Sequence, residues 1–232
     1  MRYLGGKTRL AKHLCPVIQE LLSSGRYNRF VDAFAGSMNI VSNVVFPNRL
    51  ASDINPYIIA VYQHALSGGE FPSEVSFEEY QRVKANLDAF PKWYVGFVGF
   101  GCSFGAMWFN GYARGENRNF AAEAKRAIAN KVKGLQGTTL QVTSYDDLEI
   151  SSKDLVYCDI PYKGTTHYRG TELFNHEIFY DWAKRQKATI LVSEYRVNYV
   201  SGSEIIWHGS SVKGLKNSSG LADYTEEILM KL

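Results

Sequence analysis

The stretch Leu155–Tyr162 constrains the fold and chemistry of this chain more than any other part of the sequence. Its first four residues are apolar and predict a short buried strand, and the carboxylate of Asp159 follows directly. Pro161 cannot continue a central strand and holds Ile160 in an extended conformation, so the chain must leave the sheet here. Because ligand crevices of open α/β sheets lie at the carboxyl ends of strands, we expect Asp159 to face such a crevice.

The same turn carries groups suited to one reaction. The amino group of a nucleobase is a poor nucleophile because its lone pair is delocalised into the ring. The Asp159 carboxylate and the Ile160 carbonyl offer two acceptors for its N–H bonds, and Tyr162 offers a face on which a flipped base can stack. Asp159-Ile160-Pro161-Tyr162 resembles the Asp-Pro-Pro-Tyr signature of the amino-group DNA methyltransferases. Most isolated matches of this kind are a strand end followed by a proline turn, so the rest of the chain decides.

A βαβ unit is predicted near the amino terminus. A strand ending at Asp32 leads into a small-residue turn that ends at Gly36, a helix is predicted over 38–46, and a second strand ends at Asp53. Small residues let a cofactor lie against the backbone, and a carboxylate after the second strand can bind ribose hydroxyls. The Gly-x-Gly-x-x-Gly pattern is absent, which disfavours a nicotinamide oxidoreductase and favours a nucleoside-containing cofactor without pyrophosphate.

Together these segments resemble the orphan or phage type of DNA adenine-N6 methyltransferase, in order and nearly end to end. The loop Tyr3-Leu4-Gly5-Gly6-Lys7 is similar to the family's amino-terminal cofactor loop, although an ordinary loop would also fit it. Ser52-Asp53-Ile54-Asn55-Pro56 is similar to its ribose-binding strand end. The resemblance implies S-adenosylmethionine as methyl donor and no metal. Ile160 departs from the signature, and Ser37-Met38 replaces the glycines that usually follow Gly36.

The resemblance also implies a role for each motif residue. Catalysis would fall to Asp159, Ile160, Pro161 and Tyr162. The cofactor would contact Tyr3, Gly5, Gly6, Lys7, Asp32, Ala33, Phe34, Ala35, Gly36, Asp53, Ile54, Asn55, Ser144, Tyr145 and Asp159. Asp32 would face its methionine part and Asp53 its ribose, while Tyr145 is either the ring stacked on its adenine or a merely buried tyrosine. DNA would contact Lys7, Arg9, Arg114, Asn117, Arg118, Lys163 and Tyr168.

Two basic stretches favour a polyanionic partner. The net charge is +3, but residues 1–12 and residues 110–133 each contribute +4, so the rest of the chain sums to −5. This distribution predicts DNA binding, although solvated helix faces produce the same pattern. The segment 110–120 carries Arg114 and Arg118 among Asn and Gly, which are side chains that read bases and bind phosphates. Lysines of the next helix are phosphate contacts or part of a solvated face.

Composition excludes several other classes. A hydrophobic fraction of 45% and a charged fraction of 21% indicate a globular chain rather than a disordered one. Three distant cysteines indicate neither disulfides nor a zinc site and fit the cytoplasm, and no signal peptide is predicted. The resemblance implies that the cell is bacterial or phage-infected. Residues 93–113 are uncharged and about as long as a bilayer span, but their glycines and few Leu, Ile or Val predict a buried helix and no membrane role.

The expected architecture is an α/β three-layer, Rossmann-like S-adenosylmethionine-dependent methyltransferase fold with a mostly parallel sheet. Residues 1–55 and 136–232 would form this catalytic domain, and a small, mainly helical insertion, 56–135, would carry target recognition. Helices are predicted over 8–22, 56–66, 77–87, 121–133 and 175–186. Strands are predicted over 30–32, 50–53, 155–158, 188–193, 204–207 and 226–231.

The predicted function is methyl transfer to adenine N6 in double-stranded DNA, after the base has been flipped out of the helix. Attack on the methyl group needs alignment more than acid–base chemistry, so positioning should supply most of the rate. Cytosine-N4 methylation shares the catalytic turn and stays open, as does a catalytically inactive DNA-binding homologue, which Ile160 alone suggests. The target sequence, the oligomeric state and the existence of a partner restriction nuclease are not specified.

Overall fold

A computed structural model describes residues 7–163, 174–213 and 223–232, and these residues contain one mixed, mostly parallel sheet. The strand order is β3-β2-β1-β4-β5-β7-β6. β1 to β5 run parallel, and β7 lies antiparallel between β5 and β6. The strands are β1 (Arg29–Asp32), β2 (Arg49–Asp53), β3 (Thr138–Val142), β4 (Asp154–Cys158), β5 (Thr189–Tyr195), β6 (Glu204–Lys213) and β7 (Asp223–Lys231). The predicted sheet is confirmed, and β3 is an additional edge strand with a largely exposed, polar sequence.

The described α-helices agree closely with the predicted ones. They are α1 (Ala11–Ser23), α2 (Pro56–Leu66), α3 (Phe77–Ala85), α4 (Lys92–Gly96), α5 (Phe120–Leu135) and α6 (His176–Arg185). Asparagine side chains begin three of them: Asn55, Asn119 and Asn175 each accept a hydrogen bond from a backbone N–H of the first turn. Such caps satisfy amide groups that have no partner within the helix, which explains why these boundaries are visible in the sequence.

Each face of the sheet packs on its own hydrophobic layer. On one face, Phe30 and Tyr157 of the sheet are buried with residues of α1, α2, α3 and α5, and this core includes Ile58 and Ile128. On the other face, Val156 packs in a core that contains Phe179 of α6. Helices from residues 56–135 therefore share a core with the sheet, while the assignment of this segment as a recognition insertion stays a prediction.

The helix predicted over 38–46 is wrong. Met38 takes a positive φ of 62°, and a single 3-10 turn over Val41–Asn43 is the helical part of the segment. Side chains bind part of the backbone here. The Asp32 carboxylate accepts from the Val41 N–H at 3.2 Å, and the Ser42 hydroxyl donates to the Met38 carbonyl beside the Ser42 N–H. The apolar spacing of this segment reflects burial in the core, not helical periodicity.

The single buried helix predicted over 93–113 is wrong beyond Gly101. After α4 the chain forms a π-helical turn over Phe97–Gly101, and left-handed backbone at Gly105 and Phe109 then ends helical structure. Burial itself is confirmed, because a side chain at Gly96 would lie 2.5 Å from the Tyr57 carbonyl oxygen of α2. No helix within residues 7–163, 174–213 and 223–232 is long and apolar enough to cross a membrane.

The carboxyl end of α5 is docked tightly on the segment that follows β1. A Cβ atom at Gly134 would lie 1.9 Å from the Ser42 carbonyl oxygen, so the two backbones touch. The Arg49 guanidinium joins them by donating to the carbonyls of Val41, Val44 and Gly134. This contact fixes α5 against the turn that leaves the first strand.

Gly134→Ala is expected to destabilise the protein by about 1–3 kcal/mol, because the added methyl group forces two backbone segments apart. The ordinary gain in helix propensity, about 1 kcal/mol for Gly to Ala, works in the opposite direction. Asn130→Ala, at an exposed position of the same helix, is the matched control and should be neutral or slightly stabilising. Urea unfolding of both variants tests the contact, and a Gly134→Ala protein at least as stable as the parent would contradict it.

Candidate active site

Carboxyl groups gather at the edge where the parallel strands end. Asp32 is the last residue of β1, Asp53 the last of β2, and Asp159 follows β4. β1 lies between β2 and β4, with Asp32 opposite Ala51 and Tyr157. The predicted acidic residues are therefore brought together by the register of adjacent strands.

Asp32 lies deepest and carries an unused acceptor. Its side chain is 1% exposed, one oxygen accepts the Val41 N–H, and Oδ1 has no hydrogen-bond partner among the described residues. Burial, with smaller contributions from the negative charges of Asp159 and Asp53, raises the pKa of Asp32 to about 8. A ligand that brought a positive charge to Oδ1 would stabilise the ionised form.

Asp53 ties the turn after β1 to the end of β2. Its two carboxylate oxygens accept the Gly36 N–H at 2.7 Å and the Asn55 N–H at 2.8 Å. Burial raises the pKa of Asp53, and these two amide donors oppose the shift. Gly36 has a φ of 45°, a left-handed conformation that favours glycine. Ile54, beside Asp53, leaves 69% of its surface exposed at this edge.

The next residue of the turn, Ser37, is held from two helices. Its carbonyl oxygen accepts the Tyr62 hydroxyl of α2 at 3.0 Å and also the ammonium of Lys131 from α5. Lys131 is therefore directed inward, which contradicts the expectation of a phosphate contact or a solvated position. Burial lowers the pKa of Lys131 to about 7. The sequence carried no signal for this role, because a lysine in a basic amphipathic helix resembles its exposed neighbours.

Lys7 contacts the turn that follows β4. Its Nζ lies 2.9 Å from Oδ1 of Asp159 and 3.9 Å from the centroid of the Tyr162 ring. The Lys7 and Asp159 side chains are only 10% and 18% exposed. Burial raises the pKa of Asp159, the Lys7 charge opposes that shift, and the Glu227 carboxylate adds to it. An acceptor and an aromatic face thus converge on one nitrogen atom.

Neighbouring groups fix the Tyr162 ring and its backbone. The hydroxyl donates to Oε2 of Glu227 at 3.1 Å, and the Tyr195 ring packs edge-on at 4.6 Å. Glu194 accepts the backbone N–H of Lys163 at 3.2 Å. Sequence reasoning missed Glu227, Glu194 and Tyr195. A carboxylate near the end of an apolar strand was the available signal for Glu194, whereas Glu227 looked like one of two adjacent surface charges.

The Ile160 side chain is 2% exposed and packs into the core on the α6 face of the sheet. Its backbone continues the turn between Asp159 and Pro161, whose carbonyl contacts His176 Nε2 at 2.7 Å. The departure from the family signature is thus accommodated by apolar packing. Asp159 and Tyr162 both contact the Lys7 ammonium.

Tyr145 lies in an aromatic cluster that includes Phe34 of the turn after β1. Its ring stacks on Phe34 at 5.4 Å and meets Phe179 and Trp182 edge-on at 5.3 and 5.0 Å. Ser144 and Tyr145 are both partly buried, and the Ser144 hydroxyl donates to the exposed Asp146. The cluster links Tyr145 to the predicted cofactor turn through Phe34.

The predicted DNA-contacting residues differ in their surroundings. Arg9, Arg114, Asn117, Arg118 and Lys163 are exposed. The Arg114 guanidinium lies 4.9 Å from the Phe77 ring centroid and 5.8 Å from that of Tyr112, whereas Arg118 forms a 2.5 Å ion pair with Glu123. The predicted site residues Tyr3, Gly5, Gly6 and Tyr168 lie outside the described residues.

Comparison with known proteins supports the resemblance found in the motifs. Residues 3–90 match the family described as D12 class N6 adenine-specific DNA methyltransferase. A relative, the type II methyltransferase M.FokI of Planomicrobium okeanokoites, is 24% identical over 248 aligned residues, which cover 94% of this chain and 36% of the relative. The chain thus spans about a third of the relative it matches. Both matches are to methyltransferases, and the family that residues 3–90 match is similar to the one that the motifs resemble.

Proposed function

We propose that the protein transfers a methyl group from S-adenosylmethionine to adenine N6 in double-stranded DNA. The observation that carries this proposal is the position of the Lys7 nitrogen, 2.9 Å from Asp159 Oδ1 and 3.9 Å from the Tyr162 ring centroid. A nitrogen held between a carboxylate and an aromatic face is what a flipped adenine presents to a methyl donor. The amino nitrogen of the adenine would take the position that the Lys7 nitrogen occupies in this structure.

The cofactor proposal rests on the groups around the turn after β1. Asp32 Oδ1 is a buried acceptor without a partner among the described residues, and it suits the ammonium of an amino acid. By resemblance, the backbone of Ala35 and Gly36 would contact the same part. Asp53 suits the ribose, and the exposed Ile54 suits an adenine face. Tyr3, Gly5, Gly6, Ala33, Phe34, Asn55, Ser144 and Tyr145 complete the proposed contacts by resemblance.

S-adenosylmethionine supplies an electrophilic methyl group, and the chain supplies alignment. Asp159 would accept one N–H of the adenine amino group and the Ile160 carbonyl the other, so the nitrogen lone pair points out of the ring plane. The nitrogen would take the methyl group as the bond to the sulfonium sulfur breaks, with the electron pair remaining on sulfur, and the nitrogen would then lose one proton. The Asp159 carboxylate is the acceptor within reach, and burial raises its pKa toward that task.

The target must reach this pocket from a duplex. Lys7 would exchange Asp159 for a DNA phosphate when the base enters, because both partners are anionic. Arg9, Asn117, Lys163 and Tyr168 would add contacts along the strand, and the insertion 56–135 would read the target through Arg114.

The family match favours adenine N6 over cytosine N4. Asp159 pairs with Lys7, and the Tyr162 ring contacts the same ammonium, which argues against an inactive homologue. The DNA in the cytoplasm of a bacterial or phage-infected cell would be the substrate.

Asp159→Asn is expected to lower the single-turnover methylation rate by about 100-fold, because the amide lacks the charge that binds the amino group. DNA binding should change little. Asp181→Asn, an exposed position on α6, removes the same charge and should keep the parent rate. Tritiated methyl transfer to unmethylated genomic DNA, followed by nucleoside analysis, measures the rate and identifies the product. A fully active Asp159→Asn enzyme would remove Asp159 from the chemistry, and N4-methylcytosine as product would replace the proposed substrate.

Asp32 predicts a proton release on cofactor binding. With a pKa of about 8, the free protein holds a proton on Asp32 at pH 7, and a bound ammonium would favour its ionised form. Calorimetry at pH 7 in two buffers of different ionisation enthalpy should detect close to one proton released per bound S-adenosylmethionine. The number should fall as the pH rises through about 8, because Asp32 is then already ionised in the free protein and the amino group of the free cofactor begins to lose its proton.

Asp32→Asn should abolish this proton release and weaken cofactor binding about tenfold or more. Asp181→Asn should behave like the parent in the same titration. An unchanged proton count in Asp32→Asn would assign the released proton to another group and remove Asp32 from the cofactor site.

Arg114→Ala is expected to weaken duplex binding about tenfold. A lost phosphate contact would affect all sequences alike and lower the salt slope by about one, whereas a lost base contact would relax specificity at one position. Arg118→Ala should have the smaller effect, since Arg118 already pairs with Glu123. Arg185→Ala, on α6, is the charge-matched control. If Arg114→Ala and Arg118→Ala both bind DNA like the parent at several salt concentrations, recognition lies elsewhere.

A further inference from the structure

The Ser37 carbonyl oxygen collects two strong donors at the cofactor turn. The Lys131 ammonium reaches it from α5, and the Tyr62 hydroxyl reaches it at 3.0 Å from α2. Tyr62 is fully buried and Lys131 is partly buried. Burying an ammonium is costly unless it is well bonded, so its presence here indicates a specific task rather than incidental packing.

The turn needs such support. Met38 has a φ of 62°, which is uncommon for a residue with a side chain and persists where surrounding contacts determine the backbone. Related sequences were expected to place glycine after Gly36, and glycine adopts this conformation freely. In this chain Ser37 and Met38 occupy those positions, and contacts from α2 and α5 replace the conformational freedom of glycine.

The supported turn touches the proposed cofactor groups on one side and the Lys7 loop on the other. Gly36, next to Ser37, donates its N–H to Asp53 at 2.7 Å. The Ser37 hydroxyl accepts from Asn39 Nδ2 at 2.9 Å, and Asn39 in turn accepts from the Thr8 hydroxyl at 3.4 Å. A displacement of the Ser37 carbonyl would therefore disturb the hydrogen bond to Asp53, the carboxylate proposed to bind the ribose. It would also disturb the contact of Asn39 with Thr8, the residue after Lys7.

We propose that Lys131 is a positioning residue for S-adenosylmethionine, acting through the Ser37 carbonyl to hold the cofactor turn in its binding conformation. The inference rests on the proposed cofactor. The lysine belongs to the helix that follows the segment carrying Arg114 and Arg118, so the same bond joins the recognition region to the cofactor turn. Its role differs from the phosphate contact that its place in a basic helix suggests.

Lys131→Met tests the inference because it keeps the length of the side chain and removes the ammonium. Calorimetry is expected to show about tenfold weaker S-adenosylmethionine binding, while the affinity for duplex DNA and its salt slope stay at the parent values. Lys133→Met, at an exposed position of α5, is the charge-matched control and should bind the cofactor like the parent. Ile128→Val loosens the buried face of α5 without touching Ser37 and controls for a general loss of stability.

Tyr62→Phe removes the second donor to the same oxygen and should weaken cofactor binding in the same direction by a few-fold. It also keeps the test valid if Lys131→Met does not fold. Unchanged cofactor affinity in the folded Lys131→Met protein, or in Tyr62→Phe if Lys131→Met does not fold, would overturn the inference. The inference would also be overturned if Ile128→Val, at equal stability, lost as much cofactor affinity as Lys131→Met. It would be overturned as well if Lys131→Met lowered only the DNA affinity and its salt slope. Failure of the parent to bind S-adenosylmethionine would instead overturn the proposed function.

Discussion

Negative charge at the carboxyl edge of the sheet is the constraint on which the site depends. Carboxyl groups that meet in a partly buried crevice repel one another and lose solvation, so each needs a compensating partner. Asp32 meets this need by holding a proton near neutral pH, Asp53 by accepting two backbone N–H groups, and Asp159 by pairing with Lys7. Glu194 accepts the N–H groups of Lys163 and Tyr195.

This arrangement suits a positively charged ligand. S-adenosylmethionine carries an ammonium and a sulfonium, and both charges would be attracted to an edge whose carboxyl groups are incompletely compensated. DNA has the opposite requirement, since its phosphates are repelled by the same groups. Lys7, which pairs with Asp159, and the exposed Lys163, which directly follows Tyr162, would offset part of that repulsion. The two proposed substrates would therefore meet side chains of opposite charge within one site.

Local sequence was sufficient to predict the elements that carry the proposed chemistry. The strands ending at Asp32, Asp53 and Cys158 carry apolar residues followed by a carboxylate or a turn, and the long connections between these strands favour parallel pairing. These features depend on neighbouring residues, which is why they can be read without knowledge of the tertiary structure. The asparagine caps of α2, α5 and α6 belong to the same class.

The features that could not be predicted depend on contacts between distant residues. The segment after Gly36 was expected to be helical, but the Asp32 carboxylate and the Ser42 hydroxyl bind its backbone instead. Lys131 was expected at the surface, but a carbonyl 94 positions away draws it inward. Glu227 reaches Tyr162 because β7 lies beside β5, an antiparallel pairing that no local pattern reveals.

Lys7 would let the proposed pocket select adenine within a DNA strand over free adenine or adenosine. Its ammonium engages both Asp159 and the Tyr162 face, so any amine that seeks the same alignment must first displace a cation from a mostly buried carboxylate. Free adenine or adenosine offers that cation no new anionic partner, whereas a nucleotide within a strand arrives with phosphates on both sides. Discrimination would then arise from charge exchange rather than from the shape of the base. The methyl donor would be spared from reaction with the small amines of the cell.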